Sequence, residues 1–277
     1  MHTREAWLKA GPWEIRVAWF AAMLSVVLAA IALLPTSLTR LLAAALGVVA
    51  TIALTPGYLR RATPATSVAV TVAAAVVSTT VLVRLSGVPW SSGASFSQSG
   101  GAERPMAWLL TSTSWCLASG LLASGRLVAQ GGRRRGALGT WGYRVAIGLS
   151  AVSFLGFVVV GVFPVGASRA YALTHNWAAW AAMGAFWAGM LATPWLSGVS
   201  RSLKYFSAVG SVLVFGTWLP CGLRFLGFTK TSPISTLHME LVVFTLCFTW
   251  LGWLAHEWGQ PASGATRVAD SSDPGTV

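Results

Sequence analysis

The chain has 277 residues, of which 55% are hydrophobic and only 9% charged, with a mean hydropathy of +0.67. Roughly 25% of the residues of a soluble domain are charged, so composition excludes a soluble globular enzyme. The formal net charge of +12 invites a nucleic-acid reading. However, the 19 Lys and Arg are spread through the connections between apolar runs, as membrane topology requires. The one dense cluster, Arg133-Arg134-Arg135, has no aromatics interleaved with it as a single-strand binder needs. No nucleic-acid partner is expected.

Residues 1–15 mix Trp7 and Trp13 with Arg4 and Lys9 and read as an interfacial N-terminal segment. Eight apolar runs follow, at about 16–34, 39–58, 66–86, 106–128, 143–165, 174–196, 203–224 and 236–256. These lengths match the ~20 residues that cross a bilayer core. Helices are the expected spanning form because each satisfies its own backbone hydrogen bonds; the alternating segments of a barrel are absent. The predicted fold class is therefore all-α, a polytopic transmembrane helix bundle of about eight spans with both termini cytoplasmic. The first run is longer than the h-region of a signal peptide and is followed by seven more, so it is read as a span. Pro35, Pro64, Pro194 and Pro220 punctuate the runs, and Pro194 is placed to kink the sixth.

The loop 87–105 is rich in Gly and Ser, which predicts a flexible linker or, alternatively, a lid over an outer cavity. Residues 257–277 read as a disordered cytoplasmic tail. With the N-terminus inside, thirteen Lys and Arg fall in inside segments and six outside, the bias expected for eight spans. Arg133-Arg134-Arg135 then serves as a topology anchor or as a contact for anionic lipid. Cys116, Cys221 and Cys247 have no CxxC spacing and read as packing residues.

In this topology the polar residues of the late spans gather on the outer side. His175 and Asn176 open the sixth span, and His238 and Glu240 open the eighth. Glu240 is the one acidic residue inside an apolar run, a costly placement that raises a functional hypothesis. The alternative is a first-turn acid favoured by the helix dipole. Thr174 or Asn176 would cap the sixth helix. Two His and one Glu suit zinc by type, but residues two apart on a helix point about 200° apart, and HExxH is absent; no metal is expected. Asn176, Trp180 and Trp187 form one stripe at spacings of four and seven, which with Trp218 gives a candidate aromatic ligand wall. Ala181, Ala185 and Gly189 form a small-xxx-small face for another helix. The fourth span carries Thr111-Ser112-Thr113-Ser114, Ser119 and Ser124, hydroxyls suited to bonds across helices or back to their own carbonyls. No nucleophile elbow, phosphate loop or dinucleotide fingerprint occurs, and no cofactor is expected.

Gly161-Val162-Phe163-Pro164 closing one span, His175-Asn176 with Ala178-Ala179 opening the next, and Glu240 followed by Trp250 carry a resemblance. Residues 105–256 are similar to a bacterial family of integral membrane proteins of unknown function, the domain of unknown function 998, akin to the Frag/DRAM-like proteins. The connection after Pro164 departs from that pattern in carrying Arg169 and Tyr171. The resemblance implies no activity and points only to the outer-side cluster.

The expected function is binding or sensing of a membrane lipid or apolar small molecule in an outer-leaflet-side cavity among the last four helices. One alternative is an intramembrane enzyme on a lipid or isoprenoid, with Glu240 as a neutral general acid and His175 or His238 as its partner. Aromatic faces stabilise cations, so a proton-initiated cyclisation is chemically consistent with it. A second alternative is transport, for which no internal repeat speaks. The sequence specifies neither the ligand nor the oligomeric state.

Overall fold

A computed structural model describes residues 13–31, 43, 45–51, 62–85, 107–163, 169–230, 232–234 and 236–259. The N-terminal residues up to 12, the loop 87–105 and the tail from 260 lie outside the described residues. Among those described, the chain is all-helical. Its helices are α1 (Trp13–Ile31), α2 (Pro64–Leu85), α3 (Ala107–Arg134), α4 (Thr140–Val162), α5 (Arg169–Ala192), α6 (Arg201–Phe225) and α7 (Thr236–Gly259). Residues 45–51 are also helical, and Gly47 rests on Val27 of α1. By length and composition, four helices can cross a membrane: Trp13–Ile31, Thr140–Val162, Arg201–Phe225 and His238–Trp258. In α3 the apolar character is diluted by hydroxyls, Arg126 and Gln130, and in α5 by Arg169, His175 and Asn176.

Contacts fix the direction of each helix. Ala62, Ser67 and Thr71 lie beside Ile15, Trp19 and Ala21, so α1 and α2 start from the same end, here called the near end. Helix α3 returns: Gln130 meets Glu14, and Gly120 meets Ala21. Gly125 against Ser150 and Trp115 against Val158 set α4 antiparallel to α3. Trp180 against Phe225 and Trp187 against Phe215 set α6 antiparallel to α5. Phe206 against Trp253 does the same for α6 and α7. Helices α3 and α7 pack together at the centre; α1 and α2 flank α3, and α4, α5 and α6 complete the bundle.

Helix ends follow local chemistry. Gly136 stops α3 with φ +70, a left-handed conformation that favours glycine, and Ala137 and Leu138 donate back to the Gly132 carbonyl at 2.9 and 3.1 Å. Ser200 caps α6 by accepting the Leu203 N–H. The Glu257 carboxylate of α7 in turn accepts from the Ser200 N–H and hydroxyl. Pro194 does not kink the sixth span: α5 ends at Ala192, and Pro194 sits in the 3-10 turn Thr193–Trp195 that follows.

The helices are held largely by indole rings seated on glycines. Trp115 covers Gly161, Trp180 covers Gly222, Trp218 covers Gly184, Trp250 covers Gly189 and Trp258 covers Gly132. A Cβ at Gly189 would lie 2.8 Å from the Trp250 ring. Where no ring intervenes, backbones touch. A Cβ at Gly156 of α4 would lie 2.6 Å from the Ala178 carbonyl and 2.7 Å from the Ala182 Cβ, and the Ser153 hydroxyl donates to the Ala182 carbonyl at 3.2 Å. The close face of α5 is thus Ala178 and Ala182. The expected Ala181-Ala185-Gly189 face is split, with Ala181 exposed and Gly189 covered by Trp250.

The outer surface is sorted by depth. Trp13, Trp141, Trp195 and Tyr205 are exposed at the near end, and Tyr171, Trp177 and Phe228 at the far end. Exposed aliphatics such as Val152, Leu155, Val212 and Leu213 lie between. From Tyr205 to Phe225 is about 30 Å along a helix, the thickness of a bilayer's hydrocarbon core.

Gly156→Val is expected to wedge α4 from α5 and cost about 1–3 kcal/mol, read as a lower unfolding midpoint of detergent-solubilised protein. Gly148→Ala should not lower the midpoint, since nothing lies within 4 Å of its added carbon and alanine is the better helix former.

Candidate functional site

His175 lies inside the bundle, only 2% exposed. Its Nδ1 is 2.8 Å from the Phe163 carbonyl and 3.1 Å from that of Val160. Carbonyls only accept, so Nδ1 carries a proton shared between them. These are among the last carbonyls of α4, which have no partner within their own helix. His175 therefore caps the end of the preceding helix rather than the start of its own. Helix α5 begins at Arg169, and the Thr174 hydroxyl donates back to Ala170 at 3.0 Å. The reading of Thr174 or Asn176 as N-cap is thereby replaced: polar residues taken for a connection form the first turns of α5. Asn176 is half-buried. The same end is fastened by Phe163 against Tyr171, edge to face at 5.2 Å.

On α7, His238 is exposed, whereas Glu240 is buried on the face that carries Val243 and Cys247. Two residues apart on a helix, the two side chains diverge. Glu240 and Arg224 both lie near Cys221, at the α6–α7 turn. There the Ser232 hydroxyl donates to the Ile234 carbonyl at 2.7 Å, and the Cys221 thiol to the same carbonyl at 3.5 Å. His175 and Glu240 thus share the far end of the bundle, but the bonds of His175 described here run to α4. Among the described residues, no three His, Cys, Asp or Glu side chains gather as a metal site requires.

Trp180, Trp187 and Trp218 do converge. Trp218 lies 5.1 Å from Trp180 and 6.1 Å from Trp187, with Phe225 and Phe215 extending the row. The Trp187 indole donates to the Ser211 carbonyl at 3.0 Å. With Gly184 and Gly222 beneath them, these rings fill the α5–α6 seam.

The enclosed space lies elsewhere. A cavity of about 180 Å³ opens between α3, α4, α5 and α7, and neither Trp180, Trp187, Trp218, His175 nor Glu240 lines it. Its walls are small residues (Gly125, Ala146, Ser150, Ser153, Ala185) closed by Phe186, Trp250 and Trp258. All but Ser153 lie in the near-end half of their helices. A second, more open groove of about 510 Å³ runs between α1 and α3 past Phe20 and Trp115.

Sequence reasoning also missed Glu14. It is 2% exposed on α1 and accepts from Gln130 Nε2 at 2.9 Å and Arg126 Nε at 3.3 Å. Arg126 in turn stands 5.0 Å over the Trp13 ring. The available signal was the i, i+4 pair Arg126 and Gln130 on one face of α3; its partner stood 112 residues away, in the segment taken to be interfacial.

No protein-family model, curated protein or solved structure matches this chain.

Glu14→Leu strands a partly buried guanidinium and should cost about 1–3 kcal/mol, with Glu14→Leu/Arg126→Leu recovering part of the loss in thermal unfolding. His175→Ala should cost ~1 kcal/mol as a lost cap; as a cap only, it should leave any co-purifying lipid unchanged by mass spectrometry.

Proposed function

We propose that the chain is a multi-pass protein of the cell membrane, with eight spans and both termini cytoplasmic, that binds a lipid or similar apolar ligand. Two features support the span count. Helices α1 and α2 start from the same end with a helical stretch, 45–51, between them. Arg133, Arg134, Arg135, Arg144, Arg201 and Lys204 lie at the near end, against Arg169, Arg224 and Lys230 at the far end. The likeness of residues 105–256 to the Frag/DRAM-like family is part of this proposal and adds no activity to it.

The observation that carries the binding reading is the cavity enclosed by four helices and lined by small and aromatic side chains. Binding sites favour concave, apolar positions between the helices of a bundle. At about 180 Å³ the space suits a slender chain; drug-sized pockets begin near ~300 Å³. The proposed site is thus at the near end, the cytoplasmic side in this topology. One observation favours a second reading, acid catalysis by Glu240: it is a buried carboxylic acid in a span.

Native mass spectrometry of gently extracted protein tests both. The wild type should carry lipid, and the cavity-filling changes Ala146→Phe and Ala192→Trp should remove most of it. A lipid-free wild type, or filled variants that keep their full load, would overturn the binding reading. Under catalysis, Glu240→Gln should change the chemical identity of the retained molecule; an unchanged identity counts against it.

A further inference from the structure

The cavity between α3, α4, α5 and α7 is a slot with one open side. Among its described lining residues only Val145 of α4 and Ala192 of α5 are exposed; Val128 of α3 and Leu254 of α7 are buried behind them. Two contacts frame the opening. Toward the far end α4 and α5 meet: a Cβ at Gly156 would lie 2.7 Å from the Ala182 Cβ, and the Ser153 hydroxyl donates to the Ala182 carbonyl at 3.2 Å. At the near end the two connections meet, where a Cβ at Gly198 would lie 3.6 Å from the Ala137 Cβ. Between these contacts the slot opens sideways, as a window between α4 and α5.

Among the described lining residues no hydrogen-bond donor is free to reach the space. The Ser150 hydroxyl donates to the Ala146 carbonyl at 2.9 Å, and the Trp250 indole to the Thr193 hydroxyl at 2.9 Å. Ser153 is engaged with Ala182, and the Trp258 indole nitrogen is itself fully enclosed. A headgroup drawn inside would lose its bonds to water without replacement, so the part of a ligand that enters is hydrocarbon. Trp141 and Trp195 stand on the near-end side of the window, 75% and 76% exposed, and amphipathic rings settle at headgroup level. From Gly142, next to Trp141, to Ser153 at the closed end of the slot is about 16 Å along α4. One leaflet's hydrocarbon is ~15 Å deep. Headgroup depth therefore fixes one end of an inserted chain, and the contact of Gly156 with Ala182 fixes the other.

We infer that a lipid of the near-end leaflet inserts one chain sideways through this window, and that the meeting of α4 and α5 limits the length of chain accepted. This rests on the lipid-binding reading above and adds its route of entry and the basis of its selectivity. Ala185, about one turn nearer the mouth than Ala182, lines the closed end and is the residue that determines specificity.

The test offers the full chain, in nanodiscs, an equimolar mixture of decanoyl, myristoyl and arachidoyl lysophosphatidylcholine and reads the retained probe by native mass spectrometry. The myristoyl probe should be retained best and the arachidoyl probe about tenfold less, because overfilling a closed space is penalised. Ala185→Leu shortens the slot by about one turn of α5 and should move the preference to the decanoyl probe. Should that variant misfold, Ala185→Val should move it in the same direction. Val145→Trp, at the mouth, should slow exchange of the bound probe severalfold without changing the preference. Equal retention of the three probes by the wild type would overturn the length limit and leave the lipid-binding reading standing. Retention of none would overturn both. A preference unchanged in the Ala185 variants would overturn the assignment to this end of the slot, and an exchange rate unchanged by Val145→Trp would overturn the window as the route.

Discussion

The structure depends on indole rings seated on glycines. Between helices in a bilayer the hydrophobic effect supplies little drive, because lipid tails are as apolar as leucine; shape and dispersion contacts decide which helices stay together. A glycine opposite a tryptophan gives a large flat contact at close range. Such pairs join α3 to α4, α5 to α6, α5 to α7 and α3 to α7. They give five of the chain's 15 tryptophans a structural purpose that composition alone leaves open. They also set the limits of the cavity. Trp250, anchored by its indole N–H to the Thr193 hydroxyl at 2.9 Å, and Trp258, seated on Gly132, both stand in its wall. Gly125, Ser150, Ser153 and Ala185 complete the wall.

The two ends of the bundle are built differently. At the far end, side chains of the late helices fill the seams: the row Trp177, Phe225, Trp180, Trp218, Trp187 and Phe215 along α5 and α6, and His175 against the carbonyls of α4. At the near end Glu14 is paired with Arg126 inside the protein, and Arg133, Arg134 and Arg135 are exposed.

The helical class was legible because an apolar run reports its own helix, with no need of its neighbours. So was the Trp180–Trp187 stripe, since spacing alone puts both rings on one side, and both meet Trp218. The start of α5 was not: Arg169 and Tyr171 read as a connection, although a helix at a membrane surface tolerates polar residues in its first turns. His175 was legible as a capping residue, but which helix it caps depends on where the α4 carbonyls fall. Glu14 was hidden because its cost is offset by side chains more than a hundred residues distant. The cavity was the least legible feature. Glycine, alanine and serine mark close packing and empty space alike, and only the facing helix separates the two.

An experimental density map of the protein in a lipid nanodisc tests the central claim most directly. The account requires continuous chain-shaped density between α3, α4, α5 and α7, bounded by Trp250 and Trp258. A closed or empty space there, with ordered lipid instead against His175 and Glu240 at the far end, would contradict it.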